Sequence, residues 1–291
     1  MIRWTSSGAV SSPRTVQMRV QRRYPSRIRA GAPLPTRSLS ADELRDNIRY
    51  FTAGLRTPRT APCTSLVLSG AGVAQRPDTP EAIALARAEG VRWVTLHVDA
   101  GDLHALPAAA LADVDVLVIP TRPDVLDDAA AAAVAARRAG AAPVVNLTLT
   151  AASLAALDAI LASLRACAPR RVLLTYPFPT AAAGPDLPPA DAAVQAIRTA
   201  LGALDEAGIE AAVKGLPACY LGTHGGRLAR TTNRWYVDAD HQQGDALLFF
   251  PGVASFYKSE VCRFCAADYR CDGYFKAYLE RDGAQALRPV Y

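Results

Sequence analysis

The chain has 291 residues, 51% of them apolar and 20% charged, which suffices for a sizeable core and excludes wholesale disorder. Its 19 glycines and 21 prolines follow no collagen-like period, and no uncharged apolar run reaches the roughly 18 residues of a membrane-spanning helix. The net charge of +5 is uneven: residues 1–41 carry eight arginines and no acid, which leaves −3 on the rest.

An arm of that kind can be an organelle transit peptide, a nucleic-acid-binding arm, or an ordinary arm that runs into a first strand. Only Trp4 and Tyr24 accompany its arginines, a thin basis for base stacking, so nucleic acid is not the expected partner. Neither a secretory signal core nor a membrane span is visible, and the expected compartment is the cytoplasm. The arginine and alanine richness of the chain points to a GC-rich coding sequence more than to a functional demand.

In chain order, Thr15–Val20 reads as a first strand. Ser40 with Glu43 three residues on has capping-box spacing and opens a helix that runs to about Leu55. Ser65–Ser69 is a short apolar strand ending in Gly70-Ala71-Gly72. Thr79-Pro80-Glu81 opens a helix with proline in its first turn, where the missing N–H is harmless, and Gly90 ends it. The strands Arg92–Val98, Val114–Ile119, Val144–Thr148 and Arg171–Tyr176 follow. Helices are predicted near 124–139, from Ala151 to about Ala166, and from about Pro189 to Ala207.

Strands this apolar are buried on both faces, which predicts an α/β fold with a parallel sheet covered by helices. Six βα units are too few for a closed eight-fold barrel and suit a (βα)6 partial TIM-type barrel. Ligands of such sheets sit beyond the carboxyl ends of the strands. That rule places Ser69, Gly70, His97, Asp99, Thr121, Asn146 and Tyr176 around a candidate pocket. His97 and Asp99, two apart on one strand, could face one side as an acid–base pair.

Composition changes after about Lys214, where aromatics and cysteines collect. Arg234–Val237 and Ala246–Phe250 flank Asp240-His241-Gln242-Gln243-Gly244 and predict a β-hairpin. The expected organisation is therefore an arm and first strand (1–40), the remaining barrel (41–214), and a small cysteine-rich extension (215–291). Of six cysteines, four fall in this extension with the spacing Cys219-x42-Cys262-x2-Cys265-x5-Cys271. A Cys-x2-Cys turn brings two thiolates to one side, a third can close the loop, and Cys219 would arrive across the hairpin. Four thiolates suit zinc or an iron–sulfur cluster; disulfides or buried thiols are the alternative. Cys63 and Cys167 read as small apolar residues. His224 and His241 could back a metal ligand or lie on the surface.

The tail segments Gly215-Leu216-Pro217-Ala218-Cys219, Lys258-Ser259-Glu260-Val261-Cys262-Arg263-Phe264-Cys265 and Cys271-Asp272-Gly273-Tyr274 resemble the auxiliary-cluster module of radical S-adenosylmethionine (SAM) proteins, in the short twitch form of the SPASM-type extension. The tail Tyr278–Gly283 and Pro289 are also similar to that family. The resemblance implies a [4Fe-4S] cluster on Cys219, Cys262, Cys265 and Cys271, and a (βα)6 partial barrel upstream. Ser69-Gly70-Ala71-Gly72 sits where the family has a Gly-Gly-Glu-Pro loop, here without its acid. The family's Cys-x3-Cys-x2-Cys after the first strand is missing: the chain reads Gln21-Arg22-Arg23-Tyr24-Pro25-Ser26, with no cysteine before Cys63.

With two parts of the SAM site missing, SAM cleavage by the usual site is not expected. The resemblance then implies a substrate-binding or partner subunit, engaging a peptide or small molecule and an intact radical SAM enzyme. The alternatives are chemistry at the barrel mouth or at an open iron of a three-cysteine cluster, and a zinc-stabilised binding module.

Overall fold

The computed structural model describes residues 13–21, 37–53, 61–177, 186–229, 232–249 and 256–282. Along the chain run β1 (Thr15–Arg19), α1 (Ala41–Thr52), β2 (Ser65–Ser69), α2 (Thr79–Ala88), β3 (Trp93–His97), α3 (Ala108–Ala112), β4 (Val116–Thr121), α4 (Leu126–Arg138) and β5 (Ala142–Thr148). Then come α5 (Ala151–Ala155), α6 (Leu157–Cys167), β6 (Arg171–Thr175), α7 (Ala190–Glu206), β7 (Glu210–Lys214) and α8 (Ala218–Leu221). The tail adds β8 (Arg234–Val237), β9 (Leu247–Phe249), β10 (Phe256–Tyr257), β11 (Tyr274–Phe275) and α9 (Lys276–Asp282). The fold is α/β, with mostly parallel strands linked by helices in the manner of a partial TIM-type barrel, as the periodicity predicts. Among the described residues, no helix is long and apolar enough to cross a membrane.

Two compact units divide the chain. The first comprises the described residues of Met1–Pro120, Ala131–Pro143 and Asn233–Phe250. Its strand order is β9-β8-β1-β2-β3-β4, with β9 antiparallel to β8 and the other pairs parallel. Met18, Leu68, Leu96 and Leu117 lie opposite one another in register and form a fully buried row. Burying each such side chain contributes roughly 1.5–3 kcal/mol before chain entropy is counted. The other face carries half-exposed Gln17, Arg19, Thr95 and His97 beside buried Val67, Ser69 and Val118.

Helix α1 begins with the predicted capping box: Glu43 N–H donates to Ser40 Oγ at 3.1 Å, and Ser40 N–H donates to the Glu43 carboxylate at 2.8 Å. Those donors, the Ser40 backbone N–H foremost and then Gln242, hold the Glu43 carboxyl below its ordinary range. The hairpin read from the sequence forms, with Arg234 opposite Phe249 and Tyr236 opposite Leu247. Its first strand also joins the sheet beside β1, with Val237 opposite Met18. Asn47 ties this hairpin to α1. Its amide donates to Gln242 Oε1 at 2.9 Å, and its Oδ1 accepts the Gln243 N–H at 2.8 Å.

The second unit comprises the described residues of Thr121–Ala130, Val144–Thr232 and Pro251–Tyr291. Here β5, β6 and β7 run parallel, with Val145, Val172 and Ala211 in one buried row and Leu147, Leu174 and Val213 in the next. Strand β7 is absent from the sequence reading, in which the barrel ends at 214 without a strand there. Its Glu-Ala-Ala-Val-Lys composition carries little β-propensity, and pairing along all five residues with β6 makes it a strand. The helix predicted from Ala151 to Ala166 is two helices broken at Ala156. Thr150 Oγ1 caps the first of them by accepting the Ser153 N–H at 3.1 Å. The predicted loop at 22–26 lies outside the described residues.

Candidate functional site

The cysteine segments belong to the second unit. β7 leads into the first of them through Gly215, at φ +89°, where an added Cβ would come within 2.5 Å of the Tyr176 carbonyl oxygen. Only glycine lets the backbone pass so close at that angle. The chain then turns at Pro217 into α8, which carries Cys219. The Ala218 N–H donates to Cys271 Sγ at 3.4 Å, and Tyr220 stacks on Tyr274 with centroids 5.6 Å apart. Two residues 52 positions apart in sequence, Cys219 and Cys271, thus sit on adjoining segments.

Cys262 and Cys265 ride on a loop built of successive tight turns. Cys262 N–H donates to Ser259 O, Cys265 N–H to Cys262 O, Asp268 N–H to Cys265 O, and Cys271 N–H to Ala267 O, all at 2.9–3.0 Å. Lys258 closes the loop: its Nζ reaches the Asp268 carboxylate at 2.8 Å and carbonyl at 2.7 Å. Antiparallel pairing of β10 with β11 then holds the loop's two ends together.

All four cysteines are half-buried. Cys271 Sγ accepts a second hydrogen bond, from Gly273 N–H at 3.3 Å. Burial pushes the Cys271 thiol up, while these two N–H groups and the Lys258 charge pull the other way. Such donors favour a sulfur that carries negative charge, as a thiolate ligand does. Four thiols on adjoining segments therefore fit an iron–sulfur cluster in chemistry. Among the described residues, no three His, Cys, Asp or Glu side chains gather so as to hold a single metal ion.

The remaining site residues of the sequence reading fall in both units. In the first, Ser69 is buried and accepts from Gln17 Nε2 at 3.0 Å, and Gln17 Oε1 accepts from Arg234 Nη1 at 2.9 Å. Gly70 has φ +119°, and an added Cβ would lie 2.8 Å from the Gln21 backbone nitrogen. His97 is the last residue of β3 and half-exposed, whereas Asp99 lies past the strand end and is exposed.

In the second unit, Asn146 Oδ1 accepts from Thr175 Oγ1 at 2.6 Å, and Thr121 is buried at the end of β4. Tyr176 is fully buried, its OH donating to the Pro188 carbonyl at 3.1 Å.

One titratable pair escaped the sequence reading: Asp238 and His241, which meet across a turn after β8. Its only linear signal is an Asp-x2-His spacing in a predicted hairpin loop.

No known protein-family model matches the chain, and no curated protein matches it. Solved structures do. The chain superposes on anSMEcpe with bound AdoMet (S-adenosylmethionine) with a TM-score of 0.60 at 8% identity, covering 95% of this chain and 92% of that one. It superposes on Streptococcus suis SuiB bound to S-adenosylmethionine with a TM-score of 0.57 at 10% identity, covering 97% of this chain and 77% of SuiB. Against SuiB bound to its precursor peptide SuiA the TM-score is 0.52 at 11% identity, over 74% of this chain. In that match the chain spans about half the length of SuiB, 52%. The likeness is one of fold, the α/β partial barrel that the sequence predicts.

Proposed function

We propose that this chain is a radical-SAM-like protein that has lost the SAM cluster site and retains one auxiliary [4Fe-4S] cluster, held by Cys219, Cys262, Cys265 and Cys271. It acts as a substrate-binding or partner subunit for an intact radical SAM maturation or biosynthetic enzyme. The observation that carries the reading is the linkage of the cysteine segments: the Ala218 and Gly273 N–H groups converge on Cys271 Sγ, while one loop carries Cys262 and Cys265.

Zinc is the competing occupant. At a Zn–S distance of about 2.3 Å, tetrahedral zinc draws its sulfurs to roughly 3.8 Å from one another. No such single-ion grouping stands among the described residues, and metal analysis of the purified chain separates zinc from a cluster. When bound, the cluster supplies one-electron transfer or a cross-link of the tail. The chain's own part is to orient the sulfurs. Ala218 and Gly273 donate to Cys271, and the Lys258–Asp268 pair closes the loop that bears Cys262 and Cys265.

The lost SAM site rests on the sequence, which has no cysteine before Cys63 and no acid in Ser69-Gly70-Ala71-Gly72. A peptide is the favoured substrate class, because one fold neighbour is seen bound to a precursor peptide. The test is anaerobic purification of the wild type and of Cys219→Ala, with iron and sulfide measured per chain. Loss of the cluster in the variant supports a closed four-cysteine site. Retention means three ligands and an open iron, and overturns it.

A further inference from the structure

Past the end of β8 the chain turns back through Ala239-Asp240, and Asp238 and His241 exchange backbone hydrogen bonds of 3.1 and 3.2 Å across the turn. The Asp238 carboxylate is fully buried. Its Oδ1 accepts the N–H groups of Asp240 and His241, each at 3.0 Å, and lies 2.9 Å from His241 Nδ1. A buried carboxylate at that distance takes the Nδ1 proton as a hydrogen bond. The tautomer assigned from this contact puts the lone pair on Nε2, in a side chain that is 31% exposed. An imidazole fixed in this way is a proton acceptor with a set orientation. Among the described residues, Asp240, Arg37 and Glu43 also carry charge around the turn, and Arg37 pairs with both acids, at 3.6 and 3.4 Å.

The placement of the pair matters as much as its geometry. β8 is parallel to β1 with Val237 opposite Met18, so Asp238 follows at the level of Arg19. Arg19 is opposite Ser69, and Leu68 is opposite Leu96, which brings His97 level with Ser69. With about 4.8 Å between strands, Arg19, Ser69 and His97 stand in a row, and the Asp238–His241 turn ends the next strand. This row lies at the carboxyl ends of parallel strands, the edge where such sheets bind ligands. Arg19 forms no ion pair among the described residues.

We propose that this edge binds a small protic anion, of which dihydrogen phosphate is the simplest, with Arg19 holding the charge and His241 Nε2 taking the proton. In that step the O–H bond of the ligand breaks and its electron pair stays on oxygen. The new N–H bond forms at Nε2, and Asp238 stabilises the imidazolium. Asp238 is a positioning residue; His241 and Arg19 touch the ligand. The site needs no cluster, so its test is independent of the cysteines.

The experiment is a titration of the ¹⁵N-labelled full chain with inorganic phosphate, and separately with sulfate at matched ionic strength, reading the imidazole nitrogens of His241. Sulfate carries the charge but no proton at neutral pH. The expected result is a saturable shift with phosphate, a several-fold weaker one with sulfate, and roughly tenfold or greater weakening in Arg19→Gln. In Asp238→Asn the ring nitrogens move toward tautomer-averaged values and the phosphate response falls. If that variant does not fold, the wild type and Arg19→Gln decide alone. Unmoved His241 resonances, equal responses to both anions, or an unaffected Arg19→Gln would overturn the assignment.

Discussion

Gly273→Ala is expected to pry open the small antiparallel pair that frames Cys271. Gly273 has φ +95°, and an added Cβ would sit 2.2 Å from the Tyr257 carbonyl oxygen and 2.9 Å from its carbon. Tyr257 is paired with Tyr274, the next residue in the chain, so the clash falls on the ladder itself and no rotamer relieves it. An L-residue forced to positive φ costs roughly 1–2 kcal/mol. Parting the strands uncovers part of Phe256, Tyr274 and Phe275, and exposing one such side chain costs roughly a further 1.5–3 kcal/mol. Phe256 and Phe275 stack with centroids 4.6 Å apart, and all three rings are buried. The total is about 2.5–5 kcal/mol, a large effect for one methyl group. Urea denaturation followed by tyrosine fluorescence, together with limited proteolysis of residues 256–275, reads the loss. The Gly273 N–H also leaves Cys271 Sγ, so iron content falls in parallel. A variant with wild-type midpoint, protease resistance and iron would refute this geometry.

Cys271→Ser is predicted to lose most of the iron, whereas Cys167→Ala keeps it and costs only about 1 kcal/mol for the small cavity left in the α6 core; metal analysis of both variants checks the contrast. Tyr176→Phe strands the buried Pro188 carbonyl and is expected to cost about 0.5–1.5 kcal/mol in chemical denaturation. Burial pushes the Cys63 thiol up to about 12 from 9.0, with the Arg14 charge opposing weakly. Because the fold favours the neutral thiol, this contribution to stability is complete below pH 9.0 and is lost as pH rises toward about 12. Iodoacetamide at pH 8.5 should therefore label Cys63 at least about a hundredfold more slowly in the native than in the unfolded chain, and equal rates would contradict its burial. Asn47→Ala removes the link between α1 and the hairpin and should lower stability by about 1–3 kcal/mol in the same denaturation assay.

The six βα units were legible because their strands are short apolar runs and their helices begin with local signals such as Ser40 with Glu43 and Pro80. Those are properties of neighbouring residues. β7 was not legible, since nothing in Glu-Ala-Ala-Val-Lys says strand until β6 lies beside it. The hairpin at 234–249 could be read from its alternation and turn residues. That its first strand pairs with β1 could not, because the partner lies more than 200 residues away.

The same division runs through the site. The Cys-x2-Cys and the third cysteine announce themselves by spacing. The approach of Cys219 to Cys271 rests on a glycine at φ +89° and a backbone N–H on sulfur, neither of which has a linear signature. Asp238 and His241 show the limit most plainly: two polar residues in a predicted turn look like solvent-facing decoration until one of them is found fully buried.

The central claim is a barrel without a SAM cluster and a tail with one closed cluster. Its most direct test is to measure iron, sulfide and zinc per anaerobically purified chain, with EPR spectra of the reduced protein before and after S-adenosylmethionine is added. The account predicts about four irons and four sulfides, no zinc, and a spectrum that SAM leaves unchanged. A SAM-dependent change would mean that an iron is open to the ligand its fold neighbours bind, and zinc without iron would remove the cluster from the account altogether.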